Sequence, residues 1–210
     1  MSEKEKEMEK LKKECLEFCY NHSLYEKGTY PVFGKGSLET KIILIGESPG
    51  YWESQKGEPF VGAAGKVLDE LLENVGIKRE EIYITNLINI RPPNNRDPKP
   101  EEIKEFAPYL ERQIEIIEPE VICSLGNFAT RFIFKKYNLG NKLEGISKIH
   151  GKIFEPQVTT EDIQNSLFEQ KRRGIKGIKI IPLYHPAVAT YNANMKEILK
   201  KDFKILEKFN

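Results

Sequence analysis

Four short apolar runs constrain this chain more than any other feature: residues 41–45 (KIILI), 82–85 (IYIT), 121–125 (VICSL) and 178–183 (IKIIPL). Each is rich in Ile, Val or Leu and bounded by Gly, Pro or Asn, which is how strands read. Their almost uninterrupted apolar character suits strands covered on both faces, as in a parallel sheet. Between them lie segments with helical spacing, Gly65 to Asn74, Pro100 to Ile117 and Asn127 to Tyr137. Strand alternating with helix predicts an α/β fold with right-handed crossovers, whose ligands bind beyond the carboxyl ends of the strands.

The 210 residues suffice for one substantial core, and no shift in composition divides them, so residues 1–210 are expected to form a single domain. Met8, Leu11, Cys15, Leu16 and Cys19 recur at helical spacing and predict an amphipathic N-terminal helix within residues 1–20. No apolar run approaches the ~20 residues of a membrane span. The densely charged start, MSEKEKEMEKLKKE, is no secretory signal, so a cytoplasmic protein is expected. Three cysteines, Cys15, Cys19 and Cys123, are too few for a disulfide scaffold and read as free thiols in a reducing compartment.

A net charge of +1 exerts no global pull on a polyanion, so any nucleic-acid argument rests on local patches. Lys171, Arg172 and Arg173 form one, and Lys196, Lys200, Lys201, Lys204 and Lys208 are spaced along an expected last helix. Residues 141–177 read as a long excursion with a small hairpin and a short helix before the last strand.

The segment after the first run, GESPGYWESQKGEPFVGAAG from Gly46 to Gly65, has the glycines and prolines of a shaped loop. It has neither the GxxxxGK[ST] order of a nucleotide P-loop nor GxGxxG. Phe60 reads either as a stacking platform or as a core side chain. Asn86, directly after the second run, offers a donor and an acceptor for one edge of a planar ring, or caps a turn. His185, between the last run and Pro186, is functional or a capped structural histidine.

Four segments in order, GESPGYWESQKGEPFVGAAGKVLDELL, YITNLINIRPPNNRDPKPEEI, PYLERQIEIIEPEVICSLG and YHPAVATYNANMKEILKKDF, resemble the family 4 uracil-DNA glycosylases of archaea and bacteria. The resemblance spans about residues 15 to 208 and is weakest over 141–177. It implies a three-layer α/β/α sandwich around a four-stranded parallel sheet, and base excision repair by hydrolysis of the N-glycosidic bond of uracil in DNA. A base inside a duplex is out of reach, so such an enzyme flips the nucleotide into a pocket. On this resemblance Phe60 stacks the uracil, Asn86 bonds its polar edge, and His185 bonds its oxygen as the bond breaks. Glu47 or Glu53 orients the attacking water, with Glu47 favoured. DNA is held by Arg91, Asn95 and Arg96, and by the segment containing Ala187, Val188 and Tyr191, with Tyr191 or Val188 as the wedge.

The chain departs from the family where its members usually carry a four-iron, four-sulfur cluster on four cysteines. Those positions fall here on Cys19, His22, Ile90 and Phe106. Two are apolar, so no cluster is expected, with Ile90 and Phe106 packing into the vacated volume. Ser48 stands where the family usually has a smaller residue beside the uracil, and Ser54 where Asp is frequent. No basic insert follows Arg91-Pro-Pro, so ordinary turnover is expected. Alternative readings are a non-catalytic DNA-binding relative and a glycosylase for hypoxanthine or xanthine. The expected setting is a monomer acting on nucleoid DNA, and the end DFKILEKFN resembles a sliding-clamp motif only faintly.

Overall fold

The structure is a computed structural model that describes residues 1–156 and 177–209. Its sheet contains β1 (Lys35–Gly36), β2 (Ile42–Gly46), β3 (Tyr83–Asn86), β4 (Val121–Leu125) and β5 (Lys179–Leu183). The spatial order is β1-β3-β2-β4-β5. The last four strands run parallel, and the two residues of β1 add an antiparallel edge beside β3 that the sequence pattern did not predict. A two-residue strand has too few positions to display a period.

The helices are α1 (Glu3–Asn21), α2 (Tyr51–Lys56), α3 (Ala63–Asn74), α4 (Pro100–Ile117), α5 (Asn127–Lys136), α6 (Ile146–Ile149), α7 (Val188–Tyr191) and α8 (Asn194–Phe203). Ser2 starts α1 with a capping box: its hydroxyl accepts from the Glu5 amide, and the Glu5 carboxylate accepts from the Ser2 amide. Helix α4 begins with Pro at its first position, where no amide hydrogen is needed.

Alternate side chains of the strands serve two cores, as the strand period of two requires. Ile43, Ile45, Ile122 and Ile180 face α1, α4 and α5, with Leu11, Phe106, Leu110 and Ile133. Ile42, Leu44, Cys123 and Ile181 face α3 and α8, with Leu68, Leu71, Leu199 and Phe203. Helices therefore cover both faces of the sheet, and the α/β/α sandwich is the observed architecture. Its crevice lies where the order reverses: β3 follows β2 to one side, while β4 lies on the other.

Helix α2 is the main element that the pattern missed. Only six residues long, it lies between Gly50 and Gly57, and Gly57 closes it at φ 69°. No apolar period can register in so short a helix. In the excursion after α5, α6 forms and Phe154 bridges antiparallel to Ile180. Residues 157–176, with the basic Lys171, Arg172 and Arg173, lie outside the described residues. The lysines of the last helix are partly neutralised, since Lys196 pairs with Glu70 and Lys200 with Glu197. Phe203 and Leu206 of the clamp-like end are buried in the second core. Among the described residues no helix is long and apolar enough to cross a membrane.

Candidate functional site

Three strand ends meet at one place. In the register of β2 against β3, Gly46 pairs with Asn86. The pairing continues beyond the strands, the Leu87 amide donating to Gly46 O at 2.9 Å and the Ile88 amide to Glu47 O at 3.1 Å. A Cβ on Gly46 would lie 2.4 Å from Asn86 Oδ1 and 2.9 Å from the Phe60 ring. Gly46 therefore makes the space in which the amide and the aromatic ring come together. From β5, His185 stacks on Phe60 with ring centroids 5.5 Å apart and planes inclined by 27°.

Phe60 reaches this position at a backbone cost, having φ 52°, which is rare for a bulky residue. Two contacts hold it there. Gly65 in the first turn of α3 lies under it, so close that a Cβ would sit 1.9 Å from Phe60 O. Glu53 reaches back along the loop, and its Oε1 accepts from the amides of both Val61 and Gly62 at 2.8 Å. Gly62 is the N-cap of α3 and offers no side chain, so the Glu53 carboxylate caps that helix and faces its positive end. The glycines of the loop make room for its own functional side chains, and two of its amides are occupied by Glu53.

The polar groups of the site are in distinct states. Asn86 is 3% exposed, yet among the described residues its side-chain amide makes no hydrogen bond. No enclosed side-chain polar atom among the described residues lacks a partner, so this amide opens to the outside with its donor and acceptor capacity unused, a candidate place for a ligand. His185 Nδ1 accepts from the Ala187 amide at 3.2 Å, which puts the proton of the neutral ring on Nε2. Burial pushes the His185 pKa down to about 4, against an opposing pull from Glu53, so the ring is a neutral donor at pH 7. Glu47, half-buried, is pushed up to about 7, first by burial and then by repulsion from Asp97. Its carboxylate makes no hydrogen bond among the described residues, and neither does the half-buried Ser48 hydroxyl. Ser54 is buried and donates to Tyr51 O at 2.8 Å inside α2.

The flanking loops differ in how much they leave free. Arg91 lies over the Tyr51 ring, 5.4 Å from its centroid, and its Nε donates to Asn95 Oδ1 at 2.7 Å. Arg96 is occupied, with two bonds to Glu102 at 2.5 and 2.9 Å and a third to Asp97 O at 2.9 Å. Val188 is partly buried against the second core, while Ala187 is half-buried and Tyr191 stands 90% exposed.

The positions at which the resemblance places a cluster do not fit one. Cys19 and Phe106 are fully buried and Ile90 is 3% exposed, all three in the first core. The ring of His22 lies 5.0 Å from that of Phe106, and Phe18 lies 5.2 Å from Phe106 on an edge. His22 Nε2 bonds Glu105 at 2.7 Å, and its Nδ1 accepts from the Leu24 amide at 3.0 Å, so both ring nitrogens are taken. Cys15 and Cys19 sit 4.0 Å apart with free thiols, and Cys123 lies in β4. Among the described residues no three His, Cys, Asp or Glu side chains are grouped to hold a metal, whereas a four-iron cluster needs about four ligands.

Fold and site together define an α/β sandwich with a polar, aromatic-floored candidate ligand site at the switch point of its sheet. Comparison with known proteins makes this specific. The model of the uracil DNA glycosylase superfamily matches residues 33–209. A type-4 uracil-DNA glycosylase of Archaeoglobus fulgidus is 42% identical over 186 residues, covering 89% of this chain and 85% of its own. Type-4 uracil-DNA glycosylases of Sulfurisphaera tokodaii and Saccharolobus solfataricus are 40% and 41% identical over 94% and 89% of this chain, and 82% and 79% of their own. The chain belongs to the uracil-DNA glycosylase superfamily and, within it, to the type-4 family.

Two outcomes follow from this geometry. A folded-state Glu47 pKa raised from 4.5 to about 7 means stability that is complete below about pH 4.5 and lost as pH rises through 7. Glu47→Gln removes that loss, so its melting temperature relative to the parent rises between pH 5 and pH 8; a difference independent of pH contradicts the raised pKa. Phe106→Ala leaves a cavity at a fully buried position. It should lower the urea-unfolding free energy by about 3–5 kcal/mol.

Proposed function

We propose that this chain removes uracil from DNA by hydrolysing its N-glycosidic bond and leaving an abasic site. The observation that carries this reading is the unused amide of Asn86, beside Phe60 and His185. An amide oxygen accepts from uracil N3–H while the amide nitrogen donates to O4. Cytosine reverses both groups, and unpaired buried polar groups then penalise it strongly. Two ring contacts need about 7 Å between ring planes, so the 5.5 Å Phe60–His185 pair leaves no space for a base between them. The uracil instead lies on Phe60 alongside the imidazole, with the His185 ring edge toward its oxygen.

The chemistry then follows from the protonation states. Water attacks C1′, the C1′–N1 bond breaks, and its electron pair leaves on the uracil ring. Neutral His185 donates from Nε2 to the uracil oxygen, where negative charge grows. Glu47, with a pKa near 7, takes the water's proton and its charge offsets that of the sugar. Glu53 is assigned to holding the Phe60 loop, since its carboxylate already accepts from two amides. Ser48 is placed beside the base. Arg91, Asn95 and the segment Ala187–Tyr191 are assigned to the DNA, with Tyr191 as wedge because Val188 is partly buried against the core. Arg96 is assigned to bracing that loop through Glu102. The reading extends to a single-domain monomer working on chromosomal DNA in the cytoplasm, without an iron–sulfur cluster.

An oligonucleotide with one uracil, followed by alkaline cleavage at the abasic product, tests this. Strand breakage should fall about 100- to 1000-fold in His185→Ala, as for loss of an oxyanion donor, and a comparable loss is expected in Asn86→Ala. The single-turnover rate should rise with pH to a plateau above about pH 7, as Glu47 ionises. Salt-dependent binding with no breakage at all would identify a non-catalytic binder, and breakage at hypoxanthine or xanthine but not at uracil would reassign the substrate.

A further inference from the structure

The rim of the site carries a feature that uracil excision does not require. Tyr51 and Trp52, adjacent residues of α2, are 50% and 57% exposed, and their rings meet edge to face at 5.2 Å. Trp52 is the single tryptophan of the chain. Exposing two large aromatic rings side by side forfeits roughly half of the ~150–250 Å² that each could bury.

The platform is fixed at the site by several contacts. Trp52 precedes Glu53, whose carboxylate holds the amides next to Phe60. Trp52 Cδ1 lies 3.5 Å from where a Cβ of Gly62 would be. On the other side Arg91 covers the Tyr51 ring and is itself fixed by Asn95, so a cation sits beside the aromatic faces. Helix α2 then ends at Lys56, which lines a concavity of about 400 Å³ with Tyr30 and Lys12. Lys35 there is neutralised by Glu58 at 2.8 Å, which leaves Lys12 and Lys56 as further cations of that concavity.

Exposed π-faces alternating with cations match an unpaired nucleic-acid strand, whose bases stack on aromatic rings while its phosphates meet Lys and Arg. A duplex offers no such faces, because its bases are already stacked on each other. We propose that Trp52 and Tyr51 stack the unpaired bases next to the everted uridine, so that the chain grips single-stranded DNA through a platform outside the uracil pocket. This rests on the excision reading for its placement, but not for its test.

The test uses the intact chain and a single-stranded oligothymidylate of about 12 nucleotides with no uracil, within the site sizes usual for such grooves. Trp52 emission should be quenched on binding and recover with added salt. Binding followed by anisotropy of a labelled strand should weaken about 5- to 150-fold in Trp52→Ala, the range for losing one stacked base. It should be largely restored in Trp52→Phe and change little for the corresponding duplex. Unchanged emission at saturation, or equal single-strand affinity in Trp52→Ala with unchanged circular dichroism, overturns the proposal. Uracil release by the parent chain is scored separately. Excision without quenching removes the platform alone, and quenching without excision keeps the platform while removing the enzymatic reading.

Discussion

The pairing of Gly46 with Asn86 across β2 and β3 is the constraint on which the rest of the site depends. Because strand side chains alternate, a slip of one residue would turn Asn86 from the site to the opposite face. The two hydrogen bonds beyond the strand ends, to Gly46 O and Glu47 O, lock that register where it matters. They also carry the backbone of Glu47 alongside Leu87 and Ile88, just past Asn86. Any side chain at position 46 would meet Asn86 and Phe60 at once, so the site is built around a missing atom.

The strained backbone of Phe60 is the second element, and it explains why the loop spends a carboxylate on itself. Capping α3 from a side chain eight and nine residues upstream ties α2 to α3 and leaves Phe60 between two fixed points. Strain of this kind persists only where the surroundings over-determine the conformation. Negative charge on Glu53 also opposes the burial-driven drop in the His185 pKa. The site thus separates its two glutamates by environment: one satisfied by amides, the other half-buried, without a hydrogen bond among the described residues, and poised near neutrality.

Much of this was legible in the chain. The four apolar runs located the parallel strands to within a residue or so because residues buried on both faces leave an unambiguous composition. Asn86 and His185 were legible as polar residues placed one and two positions after such runs. The division of labour between Glu47 and Glu53 was not, because it depends on which amides a carboxylate reaches. The arginines show the same limit. Sequence offered Arg91 and Arg96 alike for DNA, whereas Arg96 is engaged by Glu102 through two bonds. Nor could spacing reveal that the rings of His22 and Phe106 come within 5.0 Å, 84 positions apart in the sequence (106 − 22), in an aromatic cluster.

The central claim is that the Asn86 amide is held open for one edge of a pyrimidine. Its most direct test is the side-chain amide resonance of Asn86 in ¹⁵N-labelled protein titrated with free uracil. A saturable downfield shift of that NH₂ pair, absent with cytosine and absent in Gly46→Ala, is the predicted result. Uracil binding that perturbs other side-chain amides while leaving Asn86 unmoved would contradict the account.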